Sequence, residues 1–248
     1  MAIKIFLLGR PGSGKSSAAR RIEKLVRKRN CSVVRINDYN ILQEMSVIDD
    51  SKFRKVAYGG FDVLDFSVLD VALKEEERVA KNRATFTNII VIEFARSDYY
   101  EALKKFSRAF LQDAYFVFFN TDVETCIQRI RCRAKNQVTS DDYFVSERIV
   151  RGYYAEQEFS PAIANILGID EDKIVIFNNN VSRDKFDIGV SRFVNYTFEQ
   201  HPYLTYENKV SKAIVKVIQG VRSHEKKTIL ARAMSIVTHI PQFETRFL

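Results

Sequence analysis

Eight consecutive residues near the start of the sequence have the types and spacing that bind a polyphosphate. They follow the apolar run 3–8 and read Gly9-Arg10-Pro11-Gly12-Ser13-Gly14-Lys15-Ser16. The glycines let the backbone curl tightly enough for several N–H groups to point at phosphate oxygens. Lys15 supplies a mobile positive charge for the β- and γ-phosphates, and the Ser16 hydroxyl is placed to bind Mg²⁺. The pattern predicts that a nucleoside triphosphate is bound by Gly9, Pro11, Gly12, Ser13, Gly14, Lys15, Ser16 and Ser17.

Two acidic residues follow apolar segments further along the chain. Asp38 stands just after segment 32–36, and Glu93 ends the apolar run 88–92. Ligands of open α/β sheets bind beyond the carboxyl ends of the strands, so we expect Asp38 beside the phosphate loop, positioned to take a proton from an acceptor hydroxyl. Glu93 is placed to bind Mg²⁺ or its waters. An ordinary helix cap at Asn37 or Asp38, and an ordinary strand-end acid at Glu93, are the structural alternatives.

The residues around Glu93 bear on the type of reaction. Hydrolytic motors often carry a second acid here that activates water, whereas this chain continues with Phe94. The single acid favours transfer to an acceptor over hydrolysis. Arg96 is either a partner for a substrate phosphate or carboxylate, or a surface arginine. Asp62 follows Gly59-Gly60, which forms either a hinge beside the acceptor or a simple turn, and Asp62 joins Asp38 and Arg96 as a candidate substrate contact.

Arginines stand on both sides of a polar segment at about 134–147. Arg129 and Arg133 precede it four residues apart, which places them on one face of a helix, and Arg148 and Arg151 follow it. Phosphoryl transfer spreads negative charge over the phosphoryl oxygens, and guanidinium groups carried by a closing loop neutralise that charge while excluding water. The pattern predicts a mobile lid, although solvated helix faces have the same appearance.

Strands alternate with helices along most of the chain. Helical spacing is found over 66–81, 98–111 and 123–133. Alternation of this kind predicts an α/β fold with a parallel sheet covered on both faces. The five predicted strands are residues 3–8, 32–36, 88–94, 114–119 and 173–177.

These features together resemble the P-loop small-molecule and nucleotide kinases, a group that includes adenylate, shikimate and uridine kinases. The resemblance covers about residues 1–198 and is carried by the phosphate loop, Asp38, the segment Glu93-Phe94-Ala95-Arg96 and the arginine-bearing helix with its following loop. It implies a three-layer fold with a five-stranded parallel sheet of order 2-3-1-4-5, ATP with Mg²⁺ as cofactors, and a closing lid.

The resemblance also implies particular roles at the site. Asp38 would be the base or the orienting group for the acceptor, and Arg129 or Arg133 would contact the nucleotide phosphates. The adenine contacts would come from the loop 178–180, which has the sequence Asn-Asn-Asn. The implied activity is that of an ATP-dependent kinase, which moves the γ-phosphate to a hydroxyl or phosphate of a small metabolite, such as a nucleoside or nucleotide.

Composition limits the class of protein. The 248 residues are 46% hydrophobic, enough to bury a sizeable core, and carry a net charge of +8. No apolar run is long enough to span a membrane, and the first strand begins directly after the N-terminus, so we expect a cytoplasmic location. Cys31, Cys126 and Cys132 lack metal-like spacing and are expected to be free thiols.

Residues 199–248 are predicted to form a basic, helical C-terminal extension. From His201 onward there are eight Lys or Arg residues against three acidic residues. This charge supports an alternative function, a nucleotide-dependent RNA-binding factor or RNA kinase, although no base-stacking aromatic motif accompanies it. The apolar face of the extension requires a packing partner, either the main domain or a second subunit of a homodimer. A P-loop ATPase switch is the third possibility.

Overall fold

The computed structural model describes residues 2–84, 87–139, 141–157, 159 and 161–204. Its main feature is a five-stranded parallel sheet, which confirms the predicted fold class. Each predicted strand is present, and the bounds differ by one residue at most at either end. The strands are β1 (Ile3–Leu8), β2 (Val33–Asn37), β5 (Ile89–Phe94), β6 (Ala114–Asn120) and β7 (Ile174–Asn178).

The strands lie in the order β2-β5-β1-β6-β7. The labels differ from the predicted order 2-3-1-4-5 because a separate hairpin supplies strands β3 and β4. When the main-sheet strands are counted alone, the order is second, third, first, fourth, fifth. In the register of this sheet, Glu93 lies opposite both Leu7 and Asn37. Glu93, the phosphate loop that follows β1 and Asp38 after β2 therefore share the carboxyl edge of the sheet.

Helices cover both faces of the sheet. Strands β1 and β5 are buried along their whole length, as parallel strands between two helical layers must be. Phe6 of β1 stacks on Phe116 of β6 with 4.9 Å between ring centroids. The helices are α1 (Lys15–Lys28), α2 (Asp38–Ile48), α3 (Ser67–Arg83), α4 (Tyr99–Leu103), α5 (Arg108–Leu111), α6 (Val123–Lys135), α7 (Glu147–Gly152), α8 (Pro161–Leu167) and α9 (Arg183–Gln200).

The expected single helix over residues 98–111 is wrong, because α4 and α5 are separated by four residues. Ser107 has extended backbone and begins α5. Its backbone N–H donates to Glu77 Oε2 of α3 at 2.9 Å. A contact with a helix distant in sequence therefore ends the local helical pattern.

An antiparallel hairpin, β3 (Phe53–Lys55) and β4 (Phe61–Val63), was not predicted. Its strands have three residues each, too few to show a clear alternation. Of the two alternatives at Gly59-Gly60, the structure has the turn, in which Gly59 has φ +72°. At Gly60 a Cβ atom would lie 2.2 Å from the carbonyl oxygen of Phe144, so glycine here lets the hairpin contact the loop after α6.

The chain divides into two compact units, residues 1–195 and 196–248. Residues 205–248 lie outside the described part, so the basic helical extension over 199–248 stays a prediction. In the described part, no helix is long and apolar enough to cross a membrane. Cys31, Cys126 and Cys132 are free cysteines, as expected.

Candidate functional site

The loop between β1 and α1 has the backbone of a phosphate-binding turn. Gly9, Gly12 and Gly14 all have φ between +84° and +141°, a region that side chains disfavour. At Gly12 a Cβ atom would lie 2.5 Å from the carbonyl oxygen of Cys126, and at Gly14 it would lie 2.4 Å from Asn179 Nδ2. The glycines are therefore required by the fold as well as by the ligand that the loop can hold.

Lys15 begins α1, and its side chain curls back into the loop. Its Nζ donates to the carbonyl oxygens of Gly9 at 2.6 Å and Arg10 at 2.9 Å. Burial lowers the pKa of Lys15 to about 8, partly offset by the negative charges of Asp38 and Glu93. The hydrogen-bond partners of this buried ammonium are neutral carbonyl groups. A bound phosphate would add a stronger, charge-assisted hydrogen bond and favour the protonated lysine.

A cavity of about 370 Å³, which we call the phosphate-loop cavity, opens beside this lysine. Six of the eight predicted loop residues line it, whereas Gly9 donates its N–H to the Tyr99 hydroxyl at 2.7 Å and Ser13 lies behind the wall. Four arginines also line it. These residues are Pro11, Gly12, Gly14, Lys15, Ser16 and Ser17 of the loop, together with the basic residues Arg20, Arg129, Arg133 and Arg183.

The two predicted lid arginines lie on α6 and both face this cavity. Arg129 Nη2 donates to the carbonyl oxygen of Asn179 at 2.8 Å. Within the described residues, Arg129 Nη1 and Arg133 Nε and Nη2 are buried without a hydrogen-bond partner. Buried donors without partners are costly, so an anionic ligand in the cavity would satisfy them. Arg151 instead pairs with Glu124 on the surface, and Arg148 is exposed.

Asn179, which follows β7, forms the other end of the cavity. Its Nδ2 donates to the carbonyl oxygen of Ser13 at 2.6 Å, which fixes the last strand to the phosphate loop. Val181 and Phe186 line the cavity beyond it. The loop that was expected to contact adenine is therefore adjacent to the phosphate loop, with an apolar wall available to a nucleobase.

Glu93 is buried at the end of β5, and burial raises its pKa. Its Oε1 accepts a hydrogen bond from Arg35 Nε. Arg35 Nη1 and Nη2 also donate to Asp141 at 2.7 and 2.8 Å. Arg20 pairs with the same Asp141. Asp141, in the loop between α6 and α7, thus bridges the predicted lid to the sheet.

Sequence reasoning missed Arg35 and Asp141. A signal for Arg35 was present, because a charged residue inside an apolar parallel strand needs a partner. No comparable signal marks Asp141, one of several polar residues in its loop.

The oxygen donors at this edge fit the predicted Mg²⁺ site. Among the described residues, Glu93 Oε2 is buried without a hydrogen-bond partner. Ser16 lines the phosphate-loop cavity. No group of three or more His, Cys, Asp or Glu residues that could hold a metal ion is found among the described residues. This donor set suits Mg²⁺, which typically takes one or two protein ligands, substrate phosphates and waters.

A second cavity, of about 60 Å³, lies on the other side of Pro11 and is called the Asp38 cavity below. Asn37 caps α2 by accepting from the backbone N–H of Tyr39 at 2.9 Å, so Asp38 is not the cap. The Asp38 carboxylate accepts from Arg96 Nη1 at 2.6 Å. Pro11 and Tyr143 line both cavities, so the two spaces adjoin there.

The other two predicted substrate contacts have protein partners. Arg96 is 3% exposed and also donates to the carbonyl oxygens of Ala95 and Leu69. Asp62 lines the Asp38 cavity and accepts from Arg54 at 2.6 Å and from the Ser146 hydroxyl at 2.8 Å. Arg96 therefore holds the Asp38 carboxylate in place through an ion pair. Asp62 joins the hairpin to the loop before α7.

Residues 5–151 match a family model described as an AAA domain. The chain belongs to the AAA domain family. This AAA domain chain is also similar to solved structures of kinases. The APS kinase of Mycobacterium tuberculosis, solved in complex with AMPPNP and APS, is 16% identical, with a TM-score of 0.50 over 78% of this chain and 98% of that one.

A sugar kinase from Janibacter sp. HTCC2649, in an unliganded structure, is 10% identical, with a TM-score of 0.51 over 82% of this chain and 98% of the other. At these identities the likeness concerns the fold. It confirms the expected resemblance to P-loop kinases at that level. None of the curated proteins compared with the chain matches it in sequence.

Proposed function

We propose that this AAA domain protein is an ATP-dependent phosphotransferase that moves the γ-phosphate of ATP-Mg to a small metabolite. The observation that carries the proposal is the meeting of two unlike cavities at Pro11 and Tyr143. One is lined by the phosphate loop and basic side chains, the other contains the carboxylate of Asp38. Transfer requires a phosphate donor and an acceptor held side by side, and adjoining cavities provide that arrangement.

In the proposed reaction, the loop amides and Lys15 hold the β- and γ-phosphates, and Arg129 and Arg133 turn their unpaired donors toward the transferred group. Ser16 and Glu93 would hold Mg²⁺, which when bound would neutralise negative charge on the phosphates. Asp38, held by Arg96, orients the acceptor and takes its proton. The aromatic ring of Tyr143 covers the junction of the cavities and limits the access of water.

The proposal is tested by measuring ADP and phosphorylated product with a panel of nucleosides, nucleotides and sugars. We expect Lys15→Ala to abolish product formation. Asp38→Asn should lower turnover by about a hundredfold or more while ATP binding is retained. The exposed Asp49 gives a matched control, because Asp49→Asn makes the same chemical change at the far end of α2. Full activity of Asp38→Asn would remove the proposed base.

Of two alternatives, the first is tested by the same assays and the second by a nucleic-acid binding assay. A P-loop ATPase, which the AAA family match also favours, would release ADP at one rate with or without any acceptor. The single acid Glu93, followed by Phe94, favours transfer over that reaction.

An RNA-binding function would rest on the basic residues beyond His201, and filter binding of tRNA and single-stranded DNA at two salt concentrations tests it. Absence of binding at low salt would end that alternative.

A further inference from the structure

The two adjoining cavities differ in charge. The phosphate-loop cavity is lined by one lysine and four arginines against two carboxylates, Asp141 and Asp142, so its lining is net positive. The Asp38 cavity, by contrast, is lined by no lysine, arginine or histidine among the described residues, and its charged members are two carboxylates, Asp38 and Asp62. A site that binds a phosphate, sulfate or carboxylate group normally presents guanidinium or ammonium donors to it. The Asp38 cavity therefore lacks the groups that an anionic acceptor needs.

The arginines that pair with these two carboxylates do not make up for this lack. Arg96 does not line the cavity, and its Nη atoms donate to Asp38 at 2.6 Å and to two carbonyl oxygens. Arg54 reaches Asp62 at 2.6 Å from outside the cavity wall. Each guanidinium is thus paired with a carboxylate that lines the cavity, and neither arginine lines it. An anion placed there would be desolvated beside two negative groups without a partner of its own.

The walls of the Asp38 cavity are aromatic and aliphatic. Tyr39 is stacked between Phe61, at 4.9 Å between centroids, and Tyr143, at 3.4 Å. Leu42 and Val63 complete this side. The space of about 60 Å³ admits only a few heavy atoms, so the buried part of the acceptor is compact unless Tyr143 moves aside. Apolar walls of this kind favour an apolar group of the ligand.

We propose, on the basis of the function proposed above, that the acceptor is an uncharged alcohol whose hydroxyl is attached to a compact apolar or aromatic group. The hydroxyl lies beside Asp38, at the junction with the phosphate-loop cavity. The acceptor oxygen forms a bond to the γ-phosphorus, and the bond from that phosphorus to the β,γ-bridging oxygen breaks. The hydroxyl proton passes to Asp38, and the products are ADP and a phosphate monoester.

The test uses pairs of probes that share a hydroxyl and a ring but differ in charge. The pairs are benzyl alcohol with 4-(hydroxymethyl)benzoate, and 2-phenylethanol with 4-(2-hydroxyethyl)benzoate. Binding to the full chain is measured by saturation-transfer NMR in the presence of a non-hydrolysable ATP analogue, and phosphorylation is measured with ATP. We expect at least one neutral probe to bind, and its charged counterpart to bind about tenfold more weakly or worse.

A charge substitution in the cavity wall gives a second readout. Val63→Lys places an ammonium at the Asp38 cavity and is expected to raise the affinity for the charged probe of a pair relative to the neutral one. Val71→Lys on the exposed face of α3 adds the same charge away from the cavity and should leave the preference unchanged. Circular dichroism tests whether each variant is folded. If Val63→Lys does not fold, the comparison of charged and neutral probes on the wild-type protein is the deciding test.

Two results would overturn the acceptor class while leaving the proposed transferase intact. In one, the charged member of a pair binds as well as the neutral member. In the other, the ATP analogue binds but no neutral probe does. Failure of the ATP analogue itself to bind would remove the proposed function and the acceptor class together, so the two failures are distinguishable.

Discussion

Glu76 of α3 is fully buried, and neither carboxylate oxygen has a hydrogen-bond partner among the described residues. Burial raises its pKa well above the usual value, with the nearby negative charge of Asp38 adding to the shift and Arg96 opposing it. The folded protein therefore holds a proton on this carboxyl that the unfolded chain loses above a pH of about 4.5. Because the folded state binds this proton more tightly than the unfolded chain does, Glu76 reduces the free energy of unfolding as pH rises from about 4.5 toward its raised pKa.

We expect Glu76→Met to raise the free energy of unfolding by about 1–3 kcal/mol near neutral pH, because an unsatisfied buried polar group is replaced by an apolar side chain of similar size. The gain should be larger at pH 8 than at pH 5. Urea denaturation at the two pH values measures both effects. The control is Glu75→Met, since Glu75 pairs with Arg78 on the surface. Loss of stability in Glu76→Met at pH 8 would show that the carboxyl has a stabilising partner.

The lowered pKa of Lys15 predicts how nucleotide binding depends on pH. Its pKa is about 8 in the free protein because the ammonium is buried. Above that pH the lysine loses its proton, and the charge that binds phosphate is lost unless the ligand restores it. The dissociation constant of an ATP analogue, measured by calorimetry, should rise between pH 8 and 10 by up to about tenfold per pH unit.

Lys24 on the exposed side of α1 provides the matched control for this measurement. Lys24→Ala should retain both the affinity and its pH dependence. An affinity that stays constant to pH 10 in the unmodified protein would contradict the assignment of Lys15 as the titrating group.

The roles of single residues were predictable where the backbone conformation restricts which residue type can occupy the position. The glycines of the phosphate loop have positive φ values that few other residues tolerate, so their spacing is visible in the sequence. The pairing of Arg35 with Glu93 was not predictable in the same way. It depends on strands β2 and β5 lying side by side, in a register that the chain reaches only after folding.

At the scale of elements, the loop between α6 and α7 contributes residues to both cavities. Asp141 in this loop binds Arg35 and Arg20, and Tyr143 stacks on Tyr39. Asp141 also lines the phosphate-loop cavity, so it presents a negative charge where phosphates are expected. The carboxylate therefore occupies Arg20, which lines the same cavity and which a nucleotide could otherwise use.

We expect Asp141→Asn to strengthen binding of an ATP analogue by about three- to tenfold, the effect of one or two partly exposed charge pairs. The substitution frees Arg20, leaves Arg35 paired with Glu93, and removes a repelling charge from the cavity. Calorimetry at low and high salt measures the gain, which should shrink at high salt because surface charges are screened. Glu124→Gln breaks an arginine pair elsewhere on the surface and should have no effect. Weaker binding by Asp141→Asn would show that this lid contact is required for the nucleotide.

Helices and strands were predicted well where the hydrophobic pattern extends over many residues, and poorly where the element has only three or four residues. Helices α3 and α6 have enough residues to show their period, and the main-sheet strands are visible as continuous apolar runs. The three-residue strands of the hairpin are too short to show either pattern. The break between α4 and α5 depends on Glu77 of α3, which no local pattern can reveal. Tertiary contacts thus decided the elements that sequence reasoning missed.

At the scale of the whole molecule, alternation of strands and helices gave the architecture, and the resemblance to P-loop kinases gave the strand order. Both are global consequences of a βα repeat, since right-handed crossovers leave few ways to arrange five parallel strands. The acceptor was not predictable from the sequence. The Asp38 cavity combines residues from α2, β4, α3 and the loops before and after α7, which folding brings together.

All residues that line the phosphate-loop cavity belong to the unit 1–195. A nucleotide that binds there stabilises that unit by about 2.7 kcal/mol when its concentration is a hundred times the dissociation constant. For a domain of this size the midpoint of thermal unfolding should rise by roughly 5–10 °C with a non-hydrolysable ATP analogue and Mg²⁺. Lys15→Ala should lose the rise, and Lys24→Ala should keep it. An equal rise in Lys15→Ala would place the nucleotide elsewhere, because a ligand stabilises only the folded unit that binds it.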